Sequence, residues 1–340
     1  MLHRLWIVAA LVVAVTPCLA QVPSSETKPE TSKVRFVVGG KSAIFYLPLT
    51  LTERLGYFKE AGLDVEIADV QSGARSLQSL IGGSADVATG TFDHTVQTQA
   101  KGQPVVGFVQ YGRYPGFVLG TMAGKPVNVS SGRDLKGLKI GVTSPGSSSH
   151  FMAAYMLVRA GLKMDDAAFI GTGTTATAVA AARRAEIDAI VTSDPMASLM
   201  INDKLIKVVA DARTAEGTQA IYGGPYPGGI VYTTPAFMEK NPRTVQALAG
   251  AFVRTLRWMA ERPAEEIMKV VPEEYTLGNR DVYLQALIAS KAMYTDDGRF
   301  VPGAAETAYA VLKVFDPAVA AATIDLTKTH TNAFVERAGR

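Results

Sequence analysis

The sequence predicts an α/β protein of two α/β lobes joined by two crossovers, on the strength of three observations. Its 340 residues exceed what one core holds, since cores rarely grow past roughly 250–300 residues before a chain divides. Short apolar runs of strand length alternate with amphipathic runs of helix length, the pattern of a largely parallel sheet covered on both sides. Two segments are also built alike: Ser84-Ala85-Asp86-Val87-Ala88-Thr89-Gly90-Thr91 is echoed by Glu186-Ile187-Asp188-Ala189-Ile190-Val191-Thr192-Ser193, as if one βα unit served twice.

In chain order, residues 1–20 read as an export signal, with Arg4 as the positive start, an apolar middle over 5–15 and Cys18-Leu19-Ala20 as the cleavage site. That apolar middle is shorter than the roughly 20 residues that span a bilayer. Cys18 is the single cysteine, so cleavage after Ala20 leaves no thiol for a disulfide, a metal or a nucleophile. Lipidation of Cys18 is disfavoured because Pro17, not a small residue, precedes it. Residues 21–32, rich in Pro, Ser, Thr and Glu, read as a flexible leader. With 48% hydrophobic and 19% charged residues, a net charge of +3 and no Lys/Arg block, the chain as a whole has the composition of a globular protein without a nucleic-acid footprint.

Residues 34–38 predict the first strand, Gly39-Gly40-Lys41-Ser42 its exit loop, and 48–55 a helix stopped by Gly56. A second strand precedes Ser72-Gly73, a helix covers 74–81, and a third strand at 85–88 leads into Thr91-Phe92-Asp93. In such sheets ligands collect beyond the carboxyl ends of the strands, where loops and helix starts converge. Residues 105–111 and 117–122 read as strands approaching a crossover, followed by a turn-rich link through Ala123 to Gly132.

The second alternating unit opens with Lys139-Ile140-Gly141-Val142-Thr143-Ser144-Pro145-Gly146-Ser147-Ser148-Ser149-His150. It predicts a strand, a tight turn and a helix start, and a helix start offers free backbone N–H groups and a positive dipole end to an anion. Equally, Ser147 or Ser148 can simply cap that helix. After a strand over 167–170 comes Gly171-Thr172-Gly173-Thr174-Thr175-Ala176 and a helix; Asp194 follows the next strand, either as a helix cap or as a ligand contact. Residues 222–229 form the second crossover, and from Pro235 the chain reads as mostly helical.

The run from Gly56-Tyr57-Phe58-Lys59-Glu60-Ala61-Gly62-Leu63-Asp64, the Gly82-Gly83-Ser84-Ala85-Asp86-Val87-Ala88 segment, and Asp134-Leu135-Lys136-Gly137-Leu138-Lys139-Ile140-Gly141-Val142 with Pro145-Gly146-Ser147-Ser148 resemble, in order and spacing, the NMT1/THI5-like, SsuA/TauA/NrtA-type substrate-binding proteins. The likeness runs from about Lys33 to Val314. It implies a class II periplasmic-binding-protein fold with a ligand cleft between the lobes: lobe 1 over 33–123, lobe 2 over 124–222 and a return to lobe 1 over 223–340. It further implies a periplasmic, monomeric receptor that hands a small molecule to a membrane ABC permease, with solutes of sulfonate, taurine, nitrate, aromatic carboxylate or pyrimidine type. Relatives on this fold that are enzymes, in pyrimidine or menaquinone-precursor synthesis, supply the alternative, as does a receptor serving a membrane sensor. The pyrimidine synthases carry a cysteine-rich iron motif that this chain lacks.

Other chemistries find little support. Gly40-Lys41-Ser42 would end a phosphate loop only if a glycine stood where Arg35 does, and the Gly171–Ala176 fingerprint for dinucleotides comes without any catalytic cluster. His3, His94, His150 and His330 are scattered rather than spaced as metal ligands, and no Gly-x-Ser-x-Gly elbow occurs. The expectation is therefore binding without catalysis, cofactor or metal. The candidate ligand residues are Gly40, Lys41, Phe45, Gly73, Thr91, Phe92, Asp93 and Tyr111 on one side of the cleft. Ser147, Ser148, Ser149, His150, Thr174, Asp194 and Tyr222 face them. Facing helix starts favour an anion, supplemented by Lys41 or Arg113; Asp93 and Asp194 suit an amino-bearing end, and Phe45, Tyr111 and Tyr222 suit a ring.

Overall fold

Ten strands make two five-stranded sheets of matching design in the computed structural model, which describes residues 28–125 and 132–338. The expected export signal, Cys18 and the start of the leader lie outside the described residues. The strands are β1 (Lys33–Val38), β2 (Asp64–Asp69), β3 (Val87–Thr91), β4 (Val106–Gln110), β5 (Phe117–Met122), β6 (Lys139–Val142), β7 (Ala168–Gly171), β8 (Ala189–Ser193), β9 (Ile206–Asp211) and β10 (Gly229–Thr233). The first sheet has the order β2-β1-β3-β10-β4 and the second β7-β6-β8-β5-β9. β1 runs parallel to β2 and β3, and β6 parallel to β7 and β8. In each sheet the antiparallel member is the strand that arrives from the other lobe: β10 between β3 and β4, and β5 between β8 and β9. The like-built segments noted in the sequence thus become β3 and β8, third in their respective sheets.

The helices of the first lobe begin with α1 (Leu47–Arg54), α2 (Tyr57–Glu60), α3 (Gly73–Ile81) and α4 (Asp93–Ala100). The second lobe holds α5 (Ser148–Arg159), α6 (Ala176–Arg183), α7 (Met196–Asn202) and α8 (Ala215–Tyr222). The return carries α9 (Pro235–Lys240), α10 (Pro242–Ala260), α11 (Ala264–Ile267), α12 (Arg280–Ser290), α13 (Ala304–Phe315), α14 (Pro317–Ala321) and α15 (Ala333–Ala338). Pro at the first helical turn of α9 and α10, and Gly56 at φ +79° after α1, are the punctuation that places these ends. The apolar stripe of α10 (Leu248, Phe252, Leu256, Met259) packs with Phe36, Phe58 and Tyr111 in one core. A second core joins the opposite face of the first sheet, through Val37, Ala88 and Tyr232, to Leu119, Ile140 and Val191 of the second.

One expected boundary falls elsewhere. β5 pairs with β8 and β9, so the chain changes sheets between Gln110 and Phe117 rather than after Ala123. β5 is buried along its whole length, and a run apolar on both faces carries no mark of the sheet it belongs to. Residues 126–131 of the expected link lie outside the described residues. The leader is also anchored at its end: the Glu30 carboxylate accepts from the Arg243 and Thr244 backbone N–H groups at 3.1 and 2.9 Å. Desolvation raises the Glu30 pKa, but these backbone bonds outweigh it and bring the group down to about 2. No helix among the described residues is long and apolar enough to cross a membrane.

Candidate functional site

The two lobes meet along a seam formed by the carboxyl edges of both sheets. On the first lobe, β1 ends in Gly39-Gly40, which lies tight against the start of α3; a Cβ on Gly39 would stand 2.4 Å from the Ser72 carbonyl carbon. Ser72 caps α3 by accepting the Arg75 N–H at 3.3 Å. The bare Cα of Gly73 leaves room for the Tyr46 hydroxyl and the His94 ring, 3.5 and 3.4 Å from where a Cβ would sit. β3 delivers Thr91, and α4 opens at Asp93.

Opposite, β6 runs into a turn with Gly146 at φ +84° and then into α5. Ser147 makes no side-chain cap to its own helix. Its Oγ accepts the Ala74 N–H of α3 across the seam at 3.2 Å, so two helix N-termini from different lobes face each other. Beside them Ser148 Oγ touches Thr91 Oγ1 and donates to Asp93 Oδ1 at 2.6 Å. Asp93, fully buried, also accepts from Thr91 Oγ1 at 2.7 Å and from the Tyr226 hydroxyl at 3.1 Å. One carboxylate thereby joins the first lobe, the second lobe and the second crossover.

A further knot lies along the seam at Asp194. Its Oδ1 accepts from Ser198 N and Oγ at 3.0 and 2.7 Å, and its Oδ2 accepts from Arg213 at 3.1 Å and Ser290 Oγ at 2.7 Å. The Asp194 carbonyl accepts the Ile44 N–H at 2.9 Å. Burial opposes the charge on Arg213, but Asp211 and Asp194 more than restore it and raise its pKa.

Within the first lobe several buried polar atoms are without a hydrogen-bond partner among the described residues: both ring nitrogens of His94, the hydroxyls of Tyr232 and Tyr111, and Thr89 Oγ1. All four side chains are at most 1% exposed. The His94 and Tyr232 rings stand edge to face at 6.4 Å, and His94 Nδ1 and the Tyr232 hydroxyl both lie over Gly90, 3.2 and 2.7 Å from its Cβ position. Burial pushes the His94 pKa below its ordinary value, against the weaker opposing pull of Asp93 and the nearby Gly146 N–H, and pushes those of Tyr232 and Tyr111 far above theirs, against the weaker pull of Ser76 and Thr89, none of which forms a hydrogen bond with them; these groups are neutral at pH 7.

The structure brings together Gly40, Gly73, Thr91, Asp93, Ser147, Ser148 and Thr174 at the seam. Gly40 and Thr174 are so close that a Cβ on the glycine would fall 2.2 Å from Thr174 Oγ1. Phe45 stacks on Phe117 at 6.0 Å and meets Tyr111 edge-on. The other expected residues have different partners. Ser149 Oγ accepts the Thr143 N–H at 3.0 Å inside the turn, and His150 Nδ1 accepts the Gly146 N–H at 3.1 Å while its ring abuts Phe169. Tyr222 is stacked between Tyr155 and Tyr226, and Phe92 packs against Phe300 and His330. Lys41 pairs with Glu53 at 2.7 Å and Arg113 with Asp296 at 3.1 Å. A surface groove lined by Arg113, Tyr114, Gln219, Phe300 and Asn332 shares none of the seam residues. Sequence reading left His94 and Tyr232 out of the candidate site: a histidine inside a helix and a tyrosine inside a strand carry no local mark of being left unpaired. No cluster of His, Cys, Asp or Glu fit to hold a metal occurs among the described residues.

The NMT1/THI5 like family model matches residues 45–266. The chain belongs to the NMT1/THI5-like family. A solved structure from Bordetella bronchiseptica RB50 is 43% identical and covers 92% of this chain and 98% of its own, with a TM-score of 0.88. The alkanesulfonate-binding protein SsuA from Xanthomonas axonopodis pv. citri, bound to MOPS, shares the fold at TM-score 0.66 and 17% identity, over 91% of this chain and 98% of its own. Among curated proteins, YtlA of Bacillus subtilis is 25% identical over 71% of this chain and 70% of its own length. A 4-amino-5-hydroxymethyl-2-methylpyrimidine phosphate synthase of Saccharomyces cerevisiae is 22% identical over 75% of each. The architecture of this NMT1/THI5-like chain is thus the two-lobed α/β fold of periplasmic binding proteins.

Proposed function

We propose that this protein is the exported, periplasmic solute receptor of an ABC importer, taking a small molecule at the seam between its lobes, closing on it and presenting it to a membrane permease. The observation that carries this reading is the pair of helix N-termini, α3 and α5, that meet from different lobes at Ala74 and Ser147. Such ends present N–H groups and a positive dipole to an acceptor atom; with the lobes together, Ser147 Oγ takes the Ala74 N–H and Ser72 Oγ the Arg75 N–H. Because the contacts Ser147–Ala74, Ser148–Asp93 and Ile44–Asp194 all cross between lobes, they exist only when the lobes are shut. A ligand that touches both lobes stabilises that shut state by its differential affinity.

The second reading, synthesis of a pyrimidine on the same fold, is favoured by the names of the fungal relatives. In the receptor reading nothing happens to the solute after capture. The test is a thermal-shift panel of sulfonates, nitrate, carboxylates, amides and pyrimidines, followed by recovery of the solute that shifts the melting temperature. A ligand bound by the folded form alone raises Tm by mass action, and the receptor returns it unchanged. Turnover of the bound solute, or a flat panel, refutes the reading.

A further inference from the structure

The polar groups along the seam constrain the charge of what they hold, and this inference rests on the receptor reading. His94 is fully buried with both ring nitrogens unpartnered among the described residues. A neutral imidazole has one donor and one acceptor nitrogen, so it requires a partner that both accepts and donates. The Tyr232 hydroxyl, beside it over Gly90, is unpartnered as well. Leaving such groups bare is costly, because a buried donor or acceptor without a partner keeps its full desolvation penalty.

Charged solutes fit this setting poorly. The Asp93 carboxylate is buried at the same seam, next in sequence to His94, and would repel an anion. The cationic side chains beside the seam are engaged, Lys41 with Glu53 and Arg213 with Asp194 and Asp211, and Arg113 stands apart, paired with Asp296 in the surface groove. Arg75, on the first turn of α3, is turned out to solvent. For a cation the objection is the reverse, since the positive ends of α3 and α5 face the seam and Asp93 already takes three hydroxyl donors. We infer that the solute is uncharged and presents a hydrogen-bond donor and an acceptor side by side, as a primary amide or a cyclic ureide does. The anion expected from the helix starts alone is thereby set aside, because backbone N–H groups serve a carbonyl oxygen equally well.

The experiment uses the full exported chain as purified. Solute released on denaturation is passed over cation and anion exchangers at pH 7, and calorimetry compares acetamide with acetate, benzamide with benzoate and uracil with orotate, alongside methanesulfonate and nitrate. The released solute should pass both exchangers, and the neutral member of at least one pair should bind tenfold or more tighter than its anion. His94→Phe and Tyr232→Phe should each weaken that neutral probe by about 10- to 100-fold without lowering the melting temperature of the solute-free chain, because an apolar replacement removes an unpaired group. If these variants leave affinity unchanged, water or packing satisfies the two side chains and the inference is overturned. Preference for the anions, or retention of the released solute on either exchanger, overturns it while the receptor reading stands. Binding of nothing and release of nothing overturns both.

Discussion

Removing one hydroxyl at the seam separates closing from folding. Ser148 Oγ donates to the buried Asp93 carboxylate at 2.6 Å, from the second lobe to the first. A hydrogen bond to a charged group contributes about 1.5–3 kcal/mol net. In an opened molecule both groups are solvated, so Ser148→Ala removes that energy from the closed state alone. At about 1.4 kcal/mol per factor of ten, the closed-to-open ratio falls roughly 10- to 150-fold, and apparent affinity falls by up to the same factor. Ser149→Ala is the control, since its bonds to Thr143 N and Oγ1 at 3.0 and 2.9 Å lie within one lobe; it should lower folding stability by about 1–3 kcal/mol and leave closure alone. The assay is single-molecule energy transfer between dyes on Arg54→Cys and Lys207→Cys, exposed positions on the two lobes, with urea unfolding in parallel. If Ser148→Ala shifts the closed fraction less than twofold, or if both variants shift it equally, the seam is not the closing contact.

At the other knot, Asp194→Ala leaves Arg213 with Asp211 as its remaining carboxylate, beside the Ser198 hydroxyl, and strands Ser290. Breaking a buried pair costs about 3–5 kcal/mol, and the surviving Asp211 partner puts this case at the low end; a urea midpoint within error of the parent would refute it. Gly40→Ala meets two obstacles, a φ of +125° and a Cβ 2.2 Å from Thr174 Oγ1. The first is strain of about 1–3 kcal/mol in either conformation; adding Thr174→Gly should restore closure but not stability, and full recovery of both would contradict the assignment. His94, His150 and His330 are all held below the ordinary value of 6.5 by burial. Their unfolded forms therefore bind protons first, so stability is complete above about pH 6.5 and falls as pH drops below it. Urea midpoints at pH 7.5 and 5.5 should differ in that direction, and equal or reversed midpoints would count against it.

The alternation of short apolar strands and amphipathic helices was legible throughout, because burial on one stripe or both faces writes its period directly into the chain. So were Gly40, Ser147 and Ser148, since a strand-to-helix turn has a recognisable composition. What could not be read were partnerships between distant segments. Asp194 looked like a cap or a ligand contact, yet it both caps α7 through Ser198 and binds Ser290, 96 positions away. Lys41 and Arg113 looked free until Glu53 and Asp296 came beside them. His94 carries the converse lesson: its significance lies in bonds it does not make, which depend on every neighbouring segment at once.

The central claim is a clamp that holds an unaltered solute between its lobes, and a crystal structure of the chain as purified, with the released solute identified by mass, tests it most directly. The account predicts electron density for an intact, uncharged molecule touching His94, Gly73 and the Ser147–Ser148 turn. Density in the groove beside Arg113 and Phe300, or a chemically altered product at the seam, would contradict it.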